Sequence, residues 1–179
     1  MAERQIMVIS VMDRDRPGIV AEVTEGVSAL GGNLADLRES VLCGWFTMIL
    51  VASFPADVDA ARVEQALAKS TSSRVSVVPA EGSMAETEAS DQVYVLTAVG
   101  RDRVGLVARV SRFCFDRGVN ILDLASHVDG DQYTMMLQID LADAVSRGDF
   151  KAALTRFGDE SGLKLVLQHN DIFRATNEI

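Results

Sequence analysis

Cysteine and histidine are nearly absent from this chain, with two of each among 179 residues. Cys43 and Cys114 stand far apart and alone, so no disulfide framework is expected. Two scattered cysteines and two distant histidines, His127 and His169, make no recognisable zinc pattern. Neither a metal nor a cofactor is therefore expected. Basic residues are outnumbered, 17 Lys and Arg against 26 Asp and Glu, for a formal charge of −9. The acidity is spread along the chain rather than gathered in a tail. Such a surface repels phosphate backbones and disfavours direct nucleic-acid binding. No apolar run approaches the roughly 20 residues that span a membrane, and no basic-then-apolar leader opens the sequence. A reducing, cytoplasmic setting without a membrane partner is the expectation.

Catalytic constellations are scarce as well. Asp13 and Asp15 are close only within one polar loop, and His127 and His169 have no visible partner. Cys114 lies on an apolar helix stripe and Cys43 near a turn, so neither suggests an activated thiolate. Met48, Met135 and Met136 fall at strand positions and are expected in the core. Enzymatic activity is not expected.

What the chain does contain is itself, twice. Residues from Ile6 to Leu50 realign onto Val93 to Leu137 at a constant offset of 87. Identical pairs include Arg14/Arg101, Asp15/Asp102, Arg16/Arg103, Gly18/Gly105, Gly31/Gly118, Asn33/Asn120 and Asp36/Asp123. An internal duplication of this length means two copies of one small domain rather than a solenoid. We assign residues 1–80 and 91–179 to the copies and the small, acidic stretch 81–90 to a linker. At about 80 residues a lone core is only marginally stable, so packing of the copies on each other, or on a second chain as in a homodimer, is expected. The apolar fraction of 48% is ample for folding.

Each copy follows the same plan. Strands are expected at Gln5–Met12 and Gln92–Val99, each followed by a polar loop. Helices then carry apolar residues at Ile19, Val20, Val23, Val27 and Leu30, or at Leu106, Val107, Val110, Phe113 and Cys114. Gly31 and Gly118 suit the left-handed position that closes a helix. A second strand starts at Asn33 or Asn120, a hairpin follows at Cys43-Gly44 or Asp129-Gly130-Asp131, then a third strand. Trp45 to Ser53 is more uniformly apolar than the matching strand, which suggests that its outer face is covered. Second helices are expected over Val58–Lys69 and Phe150–Phe157, and closing strands over Arg74–Val78 and Leu163–Gln168. The order is βαββαβ twice: an α+β fold of two tandem ferredoxin-like domains with antiparallel sheets.

The copies agree most closely at the first strand-to-helix junction, Asp13-Arg14-Asp15-Arg16-Pro17-Gly18 and Gly100-Arg101-Asp102-Arg103-Val104-Gly105. Pro17 suits the first turn of a helix, and glycine there lets another group approach the backbone. Free N–H groups and the helix dipole favour a carboxylate at this point, while Asp15 or Asp102 could attract an ammonium group. Together they suit a zwitterionic amino acid. The same residues are also ordinary capping and packing choices. Asn33 and Asn120 offer a donor and an acceptor to such a ligand, or simply serve a turn. Glu22 and Glu25 of the first helix match Arg109 and Arg112 of the second, an opposition that either steers pairing or marks two solvated faces.

A DRPG-type loop entering a helix, followed by Gly-Gly-Asn or Gly-Val-Asn at the second strand, resembles the ACT domain family. The second junction, Arg-Asp-Arg-Val-Gly-Leu, is similar with its proline replaced. The resemblance runs from about Gln5 to Gln168 and, in its paired organisation, is similar to the glycine cleavage system transcriptional repressors. It implies a regulatory module that binds an amino acid and acts through a protein partner; some members bind nothing and only oligomerise. It also implies that Asp15, Arg16, Pro17, Gly18, Ile19 and Asn33 border one site, and Asp102, Arg103, Gly105, Leu106 and Asn120 a second.

Overall fold

A computed structural model of the chain describes residues 4–80, 90–142 and 147–177. The chain divides into two compact units, Met1–Ala85 and Glu86–Ile179. The expected linker falls, at 81–89, outside the described residues.

The first unit runs β1 (Arg4–Arg14), α1 (Ile19–Ala29), β2 (Asn33–Leu42), β3 (Trp45–Pro55), α2 (Ala60–Thr71) and β4 (Arg74–Pro79). Its sheet order is β2-β3-β1-β4, with every pairing antiparallel. Alternation along β3 buries Phe46, Met48, Leu50, Ala52 and Phe54. Ile19, Val23 and Val27 of α1 and Val63 and Leu67 of α2 join them in one core, so both helices cover the same face. Asp59 caps α2 by accepting from the Arg62 N–H at 2.8 Å. On the outer face Trp45 and Ile49 remain about half exposed.

The second unit repeats this plan with β5 (Val93–Arg101), α3 (Leu106–Phe115), β6 (Asn120–Asp129), β7 (Gln132–Asp140), α4 (Arg147–Ser161) and β8 (Lys164–His169). Its order, β6-β7-β5-β8, is the same antiparallel arrangement. A helix that the sequence did not announce, α5 (Asn170–Asn177), follows β8. It is short and polar, and its Asn170 side chain accepts a hydrogen bond from the Gln138 amide at 3.1 Å. His169, beside it, is an edge-on neighbour of Tyr94 and lies 3.0 Å from the Asp91 carbonyl. It is a packing residue.

Several local expectations shift. Val20 and Val107 face outward, about 40% exposed, because neighbours in a helix point 100° apart and Ile19 and Leu106 take the core positions. Met48 and Met135 are buried as expected, but Met136 points to the opposite face of β7 and is exposed. The two cores are filled differently. Beside Gly32 the first unit places Phe54; the matched pair in the second is Val119 and Leu141, both buried. Between its helices the first unit sets Gly26 against Leu67, whereas the second stacks Phe113 on Phe157 with ring centroids 4.6 Å apart.

Candidate functional site

The shared loop is pinned in the same way in both units. The Asp15 N–H donates to the Gly44 carbonyl at 3.0 Å, and the Asp102 N–H to the Asp131 carbonyl at 2.8 Å. Each loop is thereby pinned to the tip of the hairpin that pairs with its own strand. At the first tip Cys43 and Gly44 both have positive φ, 51° and 75°, the twisted two-residue turn that matches strand twist.

Pro17 is not in the first helical turn. It precedes Gly18, whose φ of 96° and ψ of −11° make it the helix cap. Those angles belong to the third residue of a type II turn, for which proline is favoured in the position before. Gly105 repeats them at 85° and 12°. Glycine is needed here for its left-handed backbone rather than for close approach, since a Cβ on Gly105 would meet nothing within 4 Å. Val104, fully exposed and without a partner for its N–H among the described residues, stands where Pro17 does. Val104→Pro should therefore raise stability by about 0.4–1 kcal/mol through the unfolded chain, read as a higher denaturant midpoint.

A glycine cap has a chemical consequence. Neither α1 nor α3 has a side chain capping its first turn, so their leading N–H groups have no side-chain acceptor among the described residues. Asp15 and Asp102, the expected capping alternatives, do not cap. The arginines of the motif are already engaged. Arg16 forks onto Glu22 at 2.6 and 2.7 Å and also donates to the Thr71 carbonyl at 3.0 Å. Arg103 makes the matching bond to the Ser161 carbonyl at 2.5 Å. Both tie the loop to the last turn of the second helix, a role invisible in sequence because the acceptor is backbone.

The electrostatics follow these contacts. A hydrogen bond from the Ser73 hydroxyl, then one from the Arg14 N–H, holds Asp13 below the usual carboxylate range. The Arg16 fork does the same for Glu22, and Glu22 raises Arg16 in turn. Lowered carboxylates contribute fully above their ordinary values of 3.8 and 4.5 and lose that contribution as pH falls through the native values. Loop amides of the first unit should thus be less protected below about pH 4 than at neutrality, once each rate is divided by the intrinsic exchange rate at that pH, by hydrogen-exchange mass spectrometry. Cys114 is buried and its thiol is pushed up to about 11, the opposite of an activated nucleophile.

In the first unit the start of α1 opens on a cleft of ≈ 560 Å³. Asp15, Arg16, Gly18 and Ile19 border it, as does Val20. Its far wall comes from the helix side of β2 and β3: Glu39, Val41 and Phe46. Sequence inspection missed these three, although the pairing of Arg14 with Trp45 in any βαββ sheet brings that strand end beside the loop. Asn33 is not part of this cleft. It pairs with Ser53, whereas the loop leaves the sheet opposite Trp45, so the two lie about 26 Å apart along β3. Asn120, opposite Asp140, stands off its own loop in the same way.

In the second unit Asp102, Arg103, Gly105 and buried Leu106 keep the loop geometry. Ser126 replaces Glu39, however, and a cleft of ≈ 420 Å³ lies instead on Val99, Gly100, Arg101, Asp131 and Gln132. Among the described residues no group of His, Cys, Asp and Glu could hold a metal ion, and no helix is long and apolar enough to cross a membrane.

Comparison with known proteins gives the same division. The ACT domain pattern matches residues 5–77 and again 94–160. A UPF0237 protein of Methanopyrus kandleri is 35% identical over 86 residues, 48% of this chain and 96% of that protein. A UPF0237 protein of Listeria innocua is 34% identical over the same length, 48% of this chain and 97% of its own. These relatives are thus single-unit proteins about half as long. Two solved structures resemble the whole chain, each covering 93% of it and 98% of the neighbour at a TM-score of 0.74. One is an unknown protein from Galdieria sulphuraria at 25% identity. The other is a glycine cleavage system transcriptional repressor-like protein at 19%, a likeness of fold alone.

Proposed function

Because the chain belongs to the ACT domain family and carries two such regulatory domains in tandem, we propose that it is a cytoplasmic amino-acid sensor. The observation that carries this reading is one cleft in which uncapped helix N–H groups meet two carboxylates, Asp15 and Glu39. Helix N–H groups take the ligand carboxylate. Asp15 and Glu39 take its ammonium, and Val20, Val41 and Phe46 contact its side chain. Arg16 shapes the loop and does not pair with the ligand. Asn33, at the far end of the sheet, acts at such a cleft only when a second chain supplies it, which fits a homodimer. The second unit, with Ser126 in place of Glu39, is the weaker binder.

The likeness to a glycine cleavage system repressor-like protein supports a role in controlling amino-acid metabolism at transcription. With a charge of −9, the chain acts there through a protein partner rather than by touching DNA. A mobility-shift assay on the purified protein should show no tight, salt-sensitive DNA complex.

Calorimetric titration with the standard amino acids tests the sensor itself. At least one should bind and raise the melting temperature, and Asp15→Asn or Glu39→Gln should weaken it by about tenfold or more. Silence from all of them would leave the second reading, an oligomerisation module with empty sites. Unchanged affinity in both variants would place the ligand elsewhere.

A further inference from the structure

The second unit differs from the first most sharply between its two helices. Gly26 of α1 lets Leu67 of α2 close in, to 2.6 Å from where a Cβ would sit. The matched Phe113 and Phe157 are too large for that and stack instead, with Phe150 tilted against Phe113 at 5.6 Å. Beside this stack a groove of ≈ 580 Å³ runs between α3 and α4.

Its charge is one-sided. Arg109, Arg112 and Arg117 face it against a single carboxylate, Asp116. Arg117 lies over the Phe113 ring at 3.9 Å and donates to the Phe113 carbonyl, which fixes it at the floor. Arg112 uses only Nε on Asp116, at 2.8 Å, and covers exposed Phe115. Arg109 has no partner among the described residues. At the matched positions the first unit has Glu22 and Glu25.

We propose that this groove docks an acidic, amphipathic helical segment of a partner protein. The inference rests on the reading above in that the chain acts through a protein, and it supplies that partner's chemistry. Apolar side chains of the segment seat on exposed Ala108 and the half-buried Phe157, which Phe113 backs from within the core, and its carboxylates meet the open forks of Arg109 and Arg112. Nucleic acid fits less well, because Asp116 sits in the groove and the whole chain is acidic.

Fluorescence anisotropy on the full chain tests this. The probe is a labelled peptide of glutamate with leucine at helical spacing; its glutamine counterpart and a single-stranded oligonucleotide are the comparisons. The glutamate peptide should bind saturably and more weakly as salt rises. Arg109→Glu with Arg112→Glu should lower its affinity about tenfold or more, and the glutamine peptide should be equally weak. If that double variant loses its helical circular dichroism, Arg109→Gln alone should still weaken binding, since that side chain supports nothing in the fold. No saturable binding, equal binding to the folded variant, or preference for the oligonucleotide would overturn the proposal. Amino-acid titration of the same variant keeps the two readings apart. Peptide binding lost with amino-acid heat retained confirms the groove as a separate site. Peptide binding without any amino-acid heat would sustain docking and remove sensing.

Discussion

Gly32→Val should destabilise the first unit by about 1–3 kcal/mol or more, although valine is the residue at the matched position of the second. A Cβ at Gly32 would lie 2.6 Å from both Phe54 and Val27 side chains and 2.7 Å from the Val27 carbonyl oxygen. The last contact is with backbone that accepts the Gly32 N–H at 2.9 Å, so it cannot swing away. Phe54 fills the space that Val119 fills in the other unit, where Leu141 stands in its place. Gly32→Val with Phe54→Leu should therefore recover part of the loss, a coupling expected only for residues in contact. Chemical denaturation measures the loss, and hydrogen exchange should localise it to residues 4–80. Additive effects of the two changes would contradict this packing.

Phe113→Ala should cost the second unit about 3–5 kcal/mol, the range for removing a buried aromatic. Phe113 is 5% exposed and anchors both Phe157 and Phe150, besides carrying Arg117 on its face. The first unit contains no equivalent, since Gly26 occupies the matched place. Phe113→Leu should cost clearly less, because most of the volume stays. A loss of under 1 kcal/mol for the alanine variant would mean that α4 collapses into the gap.

The duplication made the fold legible. Two independent spellings of one pattern agreed on strand, loop, helix and hairpin, so a shared signal at Gly31/Gly118 or Asn33/Asn120 could be separated from noise. Boundaries were less clear: α4 extends to Ser161, where an apolar pattern alone stopped at Phe157. Proline suits both a first helical turn and a type II turn, and only the positive φ of Gly18 sets Pro17 two residues ahead of the first helical residue, Ile19. At the candidate site the loop residues were visible as identities, but Glu39, Val41 and Phe46 reach the cleft only through strand pairing. Asn33 shows the converse. Its identity in both copies carries no distance, and strand register sets it at the other end of the sheet from the loop. The resemblance sets Arg16 and Arg103 at the border of a site, and the carbonyls that they satisfy carry no residue signature.

The most direct test of the sensing cleft uses the amino acid that binds best in the calorimetric screen, together with its carboxamide and its N-acetyl form. The carboxamide removes the charge meant for the first turn of α1; the N-acetyl form removes the charge meant for Asp15 and Glu39. Each analogue should bind at least about tenfold more weakly than the parent. Asp15→Asn should narrow the gap for the N-acetyl form alone. Equal affinity for the parent and both analogues would contradict a cleft that reads the two charged ends of an amino acid.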